Sequence, residues 1–345
     1  MTASVHGPVD VVCLGESMVT FLPTRAGRLA DVPSFVRGIG GAESNVACAL
    51  AAAGHRTRWV GRVGADGFGD HLTGAIAAYG VDTSAVTRDP ERPTGIYFRT
   101  ATDRATDAHE VLYYRAGSAA SAMSPTTVSY EALRCGRMLH LSGITAALSS
   151  HCLDLMRDLT ARRDDRPLVS FDVNHRPGLW RDPADAKVLL ELARGADIVF
   201  VGEDEAEDTW GVRRADAVRA ALPEPAVLVV KRGAAGAVVY DRRAAGSPDT
   251  VTDAPAPRVT VSAPVGAGDA FAAGFLSATL RGLSARERLR HGHLWAAAAL
   301  TVDADLAVPP SAAHADRLVA LEDDAWGRLH LGPGWTGQDQ EAGTP

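Results

Sequence analysis

The sequence is short of several things, and each shortage closes off a class of function. Its four cysteines, Cys13, Cys48, Cys135 and Cys152, include no C-x-x-C pair, so a thiolate metal centre is not expected. Each sits among apolar or small residues, which predicts buried free thiols in a reducing compartment. Positive charge is not in excess: 35 Lys and Arg stand against 42 Asp and Glu, intermixed, for a formal net charge of −7. Without a basic stripe the chain lacks the electrostatic footprint of a nucleic-acid binder, and no acidic run makes a tail. The opening MTASVHGPVD has neither a basic n-region nor an apolar h-region, so no signal peptide is read. No uncharged apolar run reaches the roughly 18 residues of a spanning helix. A cytoplasmic protein with no membrane partner is therefore expected. Aromatic residues are few, at 6%, and no internal repeat is visible.

What is present is a long chain, 345 residues, 46% apolar and rich in Gly and Ala. Short apolar runs alternate with small-residue helical stretches. Strands are expected at Val9–Gly15, Val19–Leu22, Ser34–Arg37, Arg58–Val63, Arg137–Leu141, Leu168–Val173, Ile198–Val201, Ala226–Lys231 and Ala237–Tyr240. Helices are expected at Glu43–Ala53, Asp70–Tyr79, His151–Arg162, Ala184–Ala193, Arg214–Ala221, Asp269–Arg281, Ala285–Thr301 and His314–Glu322. The alternation implies an α/β fold, a doubly wound and mostly parallel sheet with helices on both faces. Gly95–Thr100 and Glu110–Arg115 interrupt it with an aromatic-containing hairpin. With strands drawn from about 17–40 they predict a small β lid, its second part drawn from about 93–118. The whole is expected to be one domain over 1–330, with a disordered Gly- and Pro-rich tail from 331 to 345.

In an open parallel sheet, ligands bind at the carboxyl ends of the strands, and the unusual residues cluster there. In SAPVGAGDAFAAGF, the Gly266-Ala267-Gly268 turn runs into Asp269 at a helix start. Such a turn can cradle a phosphate. Asp269 is then either a helix cap or a base beside a bound anion. In Gly40-Gly41-Ala42-Glu43-Ser44-Asn45 two glycines admit a ligand to the backbone, although taken alone these residues read better as ordinary capping. Strand alternation sends Tyr113 and Arg115 to one face, with Tyr97 on the partner strand. A ring beside a guanidinium suits a sugar carboxylate, and it also suits a plain cross-strand pair. Asp172-Val173-Asn174-His175-Arg176 gathers polar groups just past a strand. Glu203–Glu207 holds four acidic residues after another strand. They can hold Mg²⁺ through water, complement a helix dipole, or both. Lys231-Arg232-Gly233-Ala234-Ala235-Gly236 is either a nucleotide-phosphate turn or a hairpin turn. His293 and Asp305 carry no meaning in isolation.

Two of these stretches, GGAESNVACALAAAG at 40–54 and PVGAGDAFAAGF at 264–275, resemble in order the two signatures of the ribokinase-type (PfkB) carbohydrate kinases. The resemblance runs from about residue 9 to 325. VLYYRAGSAASAMSP, LHLSGITAALS, DVNHRPGLW and VVKRGAAGA are similar to the members that phosphorylate 2-keto-3-deoxygluconate. The resemblance implies a ribokinase-like doubly wound core with a β lid, ATP and Mg²⁺ as cofactors, and a sugar acid as substrate. It implies that Asp269 is the base, with Gly266, Ala267 and Gly268 as the anion hole. Gly41, Ala42, Glu43, Ser44, Asn45, Tyr97, Tyr113, Arg115, Arg176 and Asp305 would meet the sugar. Asn174, His175, Lys231, Gly233, Gly236 and His293 would meet the nucleotide, with Gly266 and Gly268. Glu205 would order Mg²⁺ through water. Two departures stand out. Ala263 replaces an Asp that belongs to a monovalent-cation site in some members, and Gly202 replaces a polar residue at the start of the acidic motif. A kinase for a neutral sugar such as fructose or ribose, and a binding-only relative, remain as alternatives. An exposed lid edge and apolar face predict a homo-oligomer.

Overall fold

The computed structural model describes residues 9–25, 27–100, 110–180, 182–242, 244, 246–263, 265–302 and 306–337. Its strands in chain order are β1 (Val9–Leu14), β2 (Met18–Pro23), β3 (Phe35–Gly40), β4 (Thr57–Val60), β5 (Arg62–Gly64), β6 (Thr87–Asp89), β7 (Ile96–Arg99) and β8 (Val111–Tyr114). There follow β9 (Gly136–Ser142), β10 (Leu168–Asp172), β11 (Ile198–Gly202), β12 (Val227–Lys231), β13 (Ala237–Asp241), β14 (Thr250–Ala254), β15 (Arg258–Val259) and β16 (His330–Leu331).

Eight strands form the main sheet in the order β14-β13-β12-β11-β10-β9-β1-β4. From β12 to β4 every neighbouring pair is parallel, and β13 and β14 are added antiparallel. The fold is the expected doubly wound α/β architecture. Strand alternation divides the core between the two faces. On β11, Ile198 and Phe200 pack with Phe271 and Phe275 on one side. Val199 and Val201 pack with Leu155, Leu189 and Leu192 on the other. Each such fully buried side chain contributes roughly 1.5–3 kcal/mol. The chain leaves β1 for β4 on one side and returns to β9 on the other. The direction of winding therefore reverses between β1 and β9.

A second, four-stranded sheet in the order β3-β2-β7-β8 stands off the main body. The β7–β8 hairpin is antiparallel, with Tyr97 opposite Tyr113. One face of this sheet stacks Phe21 on Phe98 (ring centroids 4.8 Å apart), with Phe35 edge-on. Alternation sends Tyr97, Arg99, Val111 and Tyr113 to the opposite face, toward the main sheet.

Three expectations shift. The strand read over Arg58–Val63 breaks at Gly61, where β4 ends and β5 departs to pair with β6. A Cβ at Gly61 would lie 2.6 Å from the Trp59 ring, so the bend needs glycine. β14 was not read from its alternating polar sequence. The disorder expected from residue 331 does not hold at residues 331–335: Leu331 pairs in β16 against β15, and Trp335 is buried beside His314. Among the described residues, no helix is long and apolar enough to cross a membrane.

Candidate active site

The helix Ala267–Leu280 begins at Gly266, whose φ of 75° lies in the left-handed region that favours glycine. The turn leaves the first-turn N–H groups without helical acceptors. They open onto a cavity of about 420 Å³ lined by Val265, Gly266, Ala267, Gly268 and Asp269 on one side. Asp172, Asn174, Arg176, Glu205 and Lys231 line it at the strand ends, and Tyr97, Arg99, Thr100, Val111 and Tyr113 cover it from the small sheet. Two groups of residues far apart in sequence thus face one volume across the two sheets.

Asp269 is half-buried and turns into this cavity. Asn45 donates from Nδ2 to its Oδ2 at 2.8 Å. Burial pushes its carboxyl up to about 6. The Asn45 hydrogen bond opposes that rise, the charge of Asp172 adds to it, and Arg176 and Lys231 oppose it. A carboxylate of this strength is a competent proton acceptor near neutral pH.

Next to it, Lys231 Nζ lies 3.1 Å from both oxygens of Asp172. Burial works against the ammonium charge, yet Asp172 and Glu205 offset it and hold the Lys231 pKa above its ordinary value. A Cβ on Gly268 would come within 3.8 Å of that ammonium, so the cation sits under the glycine turn. Asp172 Oδ1 also accepts from the amide of Asn174. Asn174 holds a φ of 40°, a conformation Asn tolerates better than most side chains. Glu205 ties two strand ends together: Oε2 accepts from Gly202 N at 2.6 Å and Oε1 from His175 N at 3.2 Å. The Gly202 amide is thus satisfied by Glu205 rather than by a side chain of its own.

The first-signature residues are placed differently from the expectation. Gly41, Ala42, Glu43 and Ser44 are absent from the cavity wall. Gly41 packs so closely that a Cβ would lie 2.4 Å from Glu16 O. Ser44 donates to Ser17 Oγ at 2.8 Å. Glu43 is fully buried; its Oε1 accepts from Ser142 at 2.7 Å and Thr145 at 2.8 Å. Burial lifts the Glu43 carboxyl to about 7. Only Asn45 reaches a cavity-lining side chain.

Arg115 also departs from the expectation. Its guanidinium pairs with Glu16, which is 2% exposed and also accepts from Ser118 Oγ. It lies 5.7 Å from the Tyr113 ring centre, at the root of the small sheet rather than on the cavity wall. Arg99, which the sequence reading passed over, lines the cavity instead. Its signal was the alternation that puts it on the face of Tyr97. Glu16 gave no signal, because its partners lie about a hundred residues away.

Gly233, Gly236 and His293 do not line the cavity. His293 Nε2 lies 3.1 Å from Ala254 O, and a Cβ on Gly236 would meet that same oxygen at 2.2 Å. Burial depresses the His293 ring to about 4, so it is neutral. Ala263 is buried. Asp305 lies outside the described residues.

Residues 9–310 match the family model described as pfkB family carbohydrate kinase. The chain is 35% identical over 298 residues to the 2-dehydro-3-deoxygluconokinase of Bacillus subtilis (strain 168), spanning 83% of this chain and 87% of that protein. It is 32% identical over 315 residues to the 2-dehydro-3-deoxygluconokinase of Thermoproteus tenax, spanning 90% and 94%. A protein named probable fructokinase-6, chloroplastic, of Arabidopsis thaliana is 30% identical over 87% of this chain and 79% of its own length. Among solved structures, the PfkB protein of Polaromonas sp. JS666 superposes with a TM-score of 0.76 at 34% identity, covering 84% of this chain and 95% of that one.

Proposed function

This chain belongs to the pfkB family of carbohydrate kinases, a phosphotransferase acting on a sugar hydroxyl, and we propose that it transfers the γ-phosphoryl group of ATP to the primary hydroxyl of 2-keto-3-deoxygluconate or a close 2-keto-3-deoxy sugar acid. The observation that carries this reading is the position of Asp269: a carboxylate lifted to about 6, on the wall of the cavity, one residue from a glycine turn with free amides. The hydroxyl proton passes to Asp269 as the oxygen attacks phosphorus. The new O–P bond forms as the bond to the β-phosphate oxygen breaks, and ADP leaves. The amides of Gly266, Ala267 and Gly268, with Lys231 beneath them, meet the negative charge spread over the equatorial oxygens.

Arg176 brings positive charge to the cavity from the strand ends, and Arg99 faces the same cavity from the small sheet; a guanidinium suits a substrate with a carboxylate. The similarity to two 2-dehydro-3-deoxygluconokinases supports the same class. Among the described residues, no three His, Cys, Asp or Glu side chains are grouped to hold a metal. Mg²⁺ keeps several waters and takes one or two carboxylates plus substrate phosphates. Glu205 is the residue that would hold it, through water. Bound there with the nucleotide, the ion would supply positive charge against the phosphates. The small sheet acts as a lid that excludes water as a competing acceptor. Its outer face exposes Leu112 and Tyr114, and we expect a second copy of the chain to cover it.

A second reading, a kinase for a neutral ketose, is favoured by the Glu16–Arg115 pair, which neutralises one cation expected to meet a carboxylate. ATP-dependent turnover across 2-keto-3-deoxygluconate, 2-keto-3-deoxygalactonate, gluconate, fructose and ribose separates them. The sugar-acid reading expects kcat/KM for a 2-keto-3-deoxy acid to exceed that for fructose at least tenfold. Equal values, or a preference for fructose, overturn it.

A further inference from the structure

Asn45 is the one first-signature residue that reaches the cavity wall, and it does so by touching Asp269 rather than by lining the cavity. The hydrogen bond joins two helix starts far apart in the chain, Nδ2 to Oδ2 at 2.8 Å. An ionised carboxylate is acceptor-only, so the NH₂ end of the amide must face it. We propose, building on the base role assigned to Asp269 above, that Asn45 is a positioning residue for the base: it holds one carboxylate oxygen and leaves the other turned to the cavity to take the proton.

The mounting of Asn45 argues for this. Its backbone amide closes the first turn of the helix Ala42–Ala52 onto Gly41 O at 2.8 Å. The two preceding side chains are both pinned, Glu43 to Ser142 and Thr145, Ser44 to Ser17. A helix start held at successive residues cannot rotate, so the amide presents one direction to Asp269. Asn45 is 7% exposed, and its Oδ1 is buried with no hydrogen-bond partner. The other charges that face Asp269 are Asp172 from β10, Arg176 from the loop after it, Lys231 from β12 and the buried Glu43 of the same helix as Asn45. None of these donates a hydrogen bond to the Asp269 carboxylate. Asn45 therefore sets the direction of the carboxylate, while they set its electrostatic surroundings.

The test is the pH dependence of kcat/KM with ATP and the preferred sugar, for the wild type, Asn45→Ala and Asn45→Asp. Losing a donor to the charged form disfavours that form. The acid limb is expected to move up by about one pH unit in Asn45→Ala, with kcat on the alkaline plateau falling about tenfold or more. Asn45→Asp places a second carboxylate against the first and moves the limb further, as for any closely spaced acid pair. A readout independent of turnover is the carboxyl ¹³C titration of Asp269 in the ligand-free protein, assigned by its loss in Asp269→Asn. Its midpoint is expected to rise in Asn45→Ala. If Asn45→Ala raises only the KM for sugar, leaving the limb and the titration midpoint where they were, the proposal is overturned and Asn45 is simply a sugar contact. If the wild type phosphorylates none of the sugars, the proposed function fails, while the titration still decides the role of Asn45. Should Asn45→Ala fail to fold, Asn45→Asp, nearly equal in size, carries the same two measurements.

Discussion

Asp269 and Tyr113 face the same cavity from walls built in opposite ways. The Asp269 wall is made of strand ends and a helix start from the main sheet. Its side chains are fixed by neighbours: Asp172 by Lys231 and the Asn174 amide, Glu205 by two backbone amides, Asp269 by Asn45. The Tyr113 wall is the edge of a small sheet whose outermost strand, β8, is exposed along its whole length. That strand is tied down at its root, where Arg115 and Ser118 both reach the buried Glu16. On the function proposed above, the difference separates two tasks. Phosphoryl transfer needs atoms held in place, and a wall crossed by buried hydrogen bonds does that. Admitting and covering a sugar needs a wall that can move, and movable elements are drawn from the less stable parts of a fold.

The sharpest way to break this division is Asp269→Asn. If the rigid wall carries the chemistry, kcat falls by ~10²–10⁴ with little change in sugar KM. Steady-state kinetics against both substrates checks it, and near-normal turnover would put the base elsewhere. Lys231→Met comes next. The KM for ATP is expected to rise roughly 10–100-fold, the value of a lost charge-assisted contact. Stability should also fall, because Asp172 loses the cation that offsets its burial. An unchanged KM for ATP with a lowered Tm would make Lys231 only a partner for Asp172.

The small-sheet wall answers to a smaller change. Arg115→Ala and Glu16→Gln each release the root of the small sheet. Each is expected to raise the sugar KM about tenfold while kcat at saturation changes less. The two substitutions act on one contact, so the double variant should cost little more than either alone. Full additivity would separate Arg115 from Glu16 and restore Arg115 as an independent sugar contact.

The same two walls differ in how far they can be read from sequence. The rigid wall was legible because its determinants are local. A Gly-x-Gly-Asp run at a helix start, and polar residues directly after buried strands, follow from backbone geometry within a few positions. The doubly wound order was legible from β-α alternation. The small-sheet wall is set by contacts between distant segments. Nothing near Glu16 indicates that Arg115 and Ser118 will close on it. Glu43 reads as a sugar contact until its carboxyl is found facing Ser142 and Thr145. Arg99 was within reach, since strand alternation places it with Tyr97, but the more conspicuous Tyr-Tyr-Arg run drew the assignment to Arg115. Gly61 and Trp335 were missed for a related reason: a bend against the Trp59 ring and a buried Trp in a Gly- and Pro-rich segment are both decided by tertiary packing.

The smallest expected effect is on stability, and it tests whether the rigid wall is strained by its own base. The Asp269 carboxyl rises from an ordinary 3.8 to about 6 because burial disfavours its charge. Between those values the folded chain binds a proton that the unfolded chain has released. Stability from this group is therefore fully present below about pH 4, declines as pH rises through 6, and is flat above. Asp269→Asn removes the titration and keeps the shape. The variant should melt higher than the wild type at pH 8 by about 2–4 °C, and the gap should close as pH falls to about 4.5. Differential scanning calorimetry of the ligand-free pair measures it, and subtracting one curve from the other removes the titrating groups that do not sense the charge of Asp269. A gap that is constant with pH would mean that the base is not destabilised by its burial. The rigidity of this wall would then come without the conflict between stability and activity that a half-buried carboxylate implies.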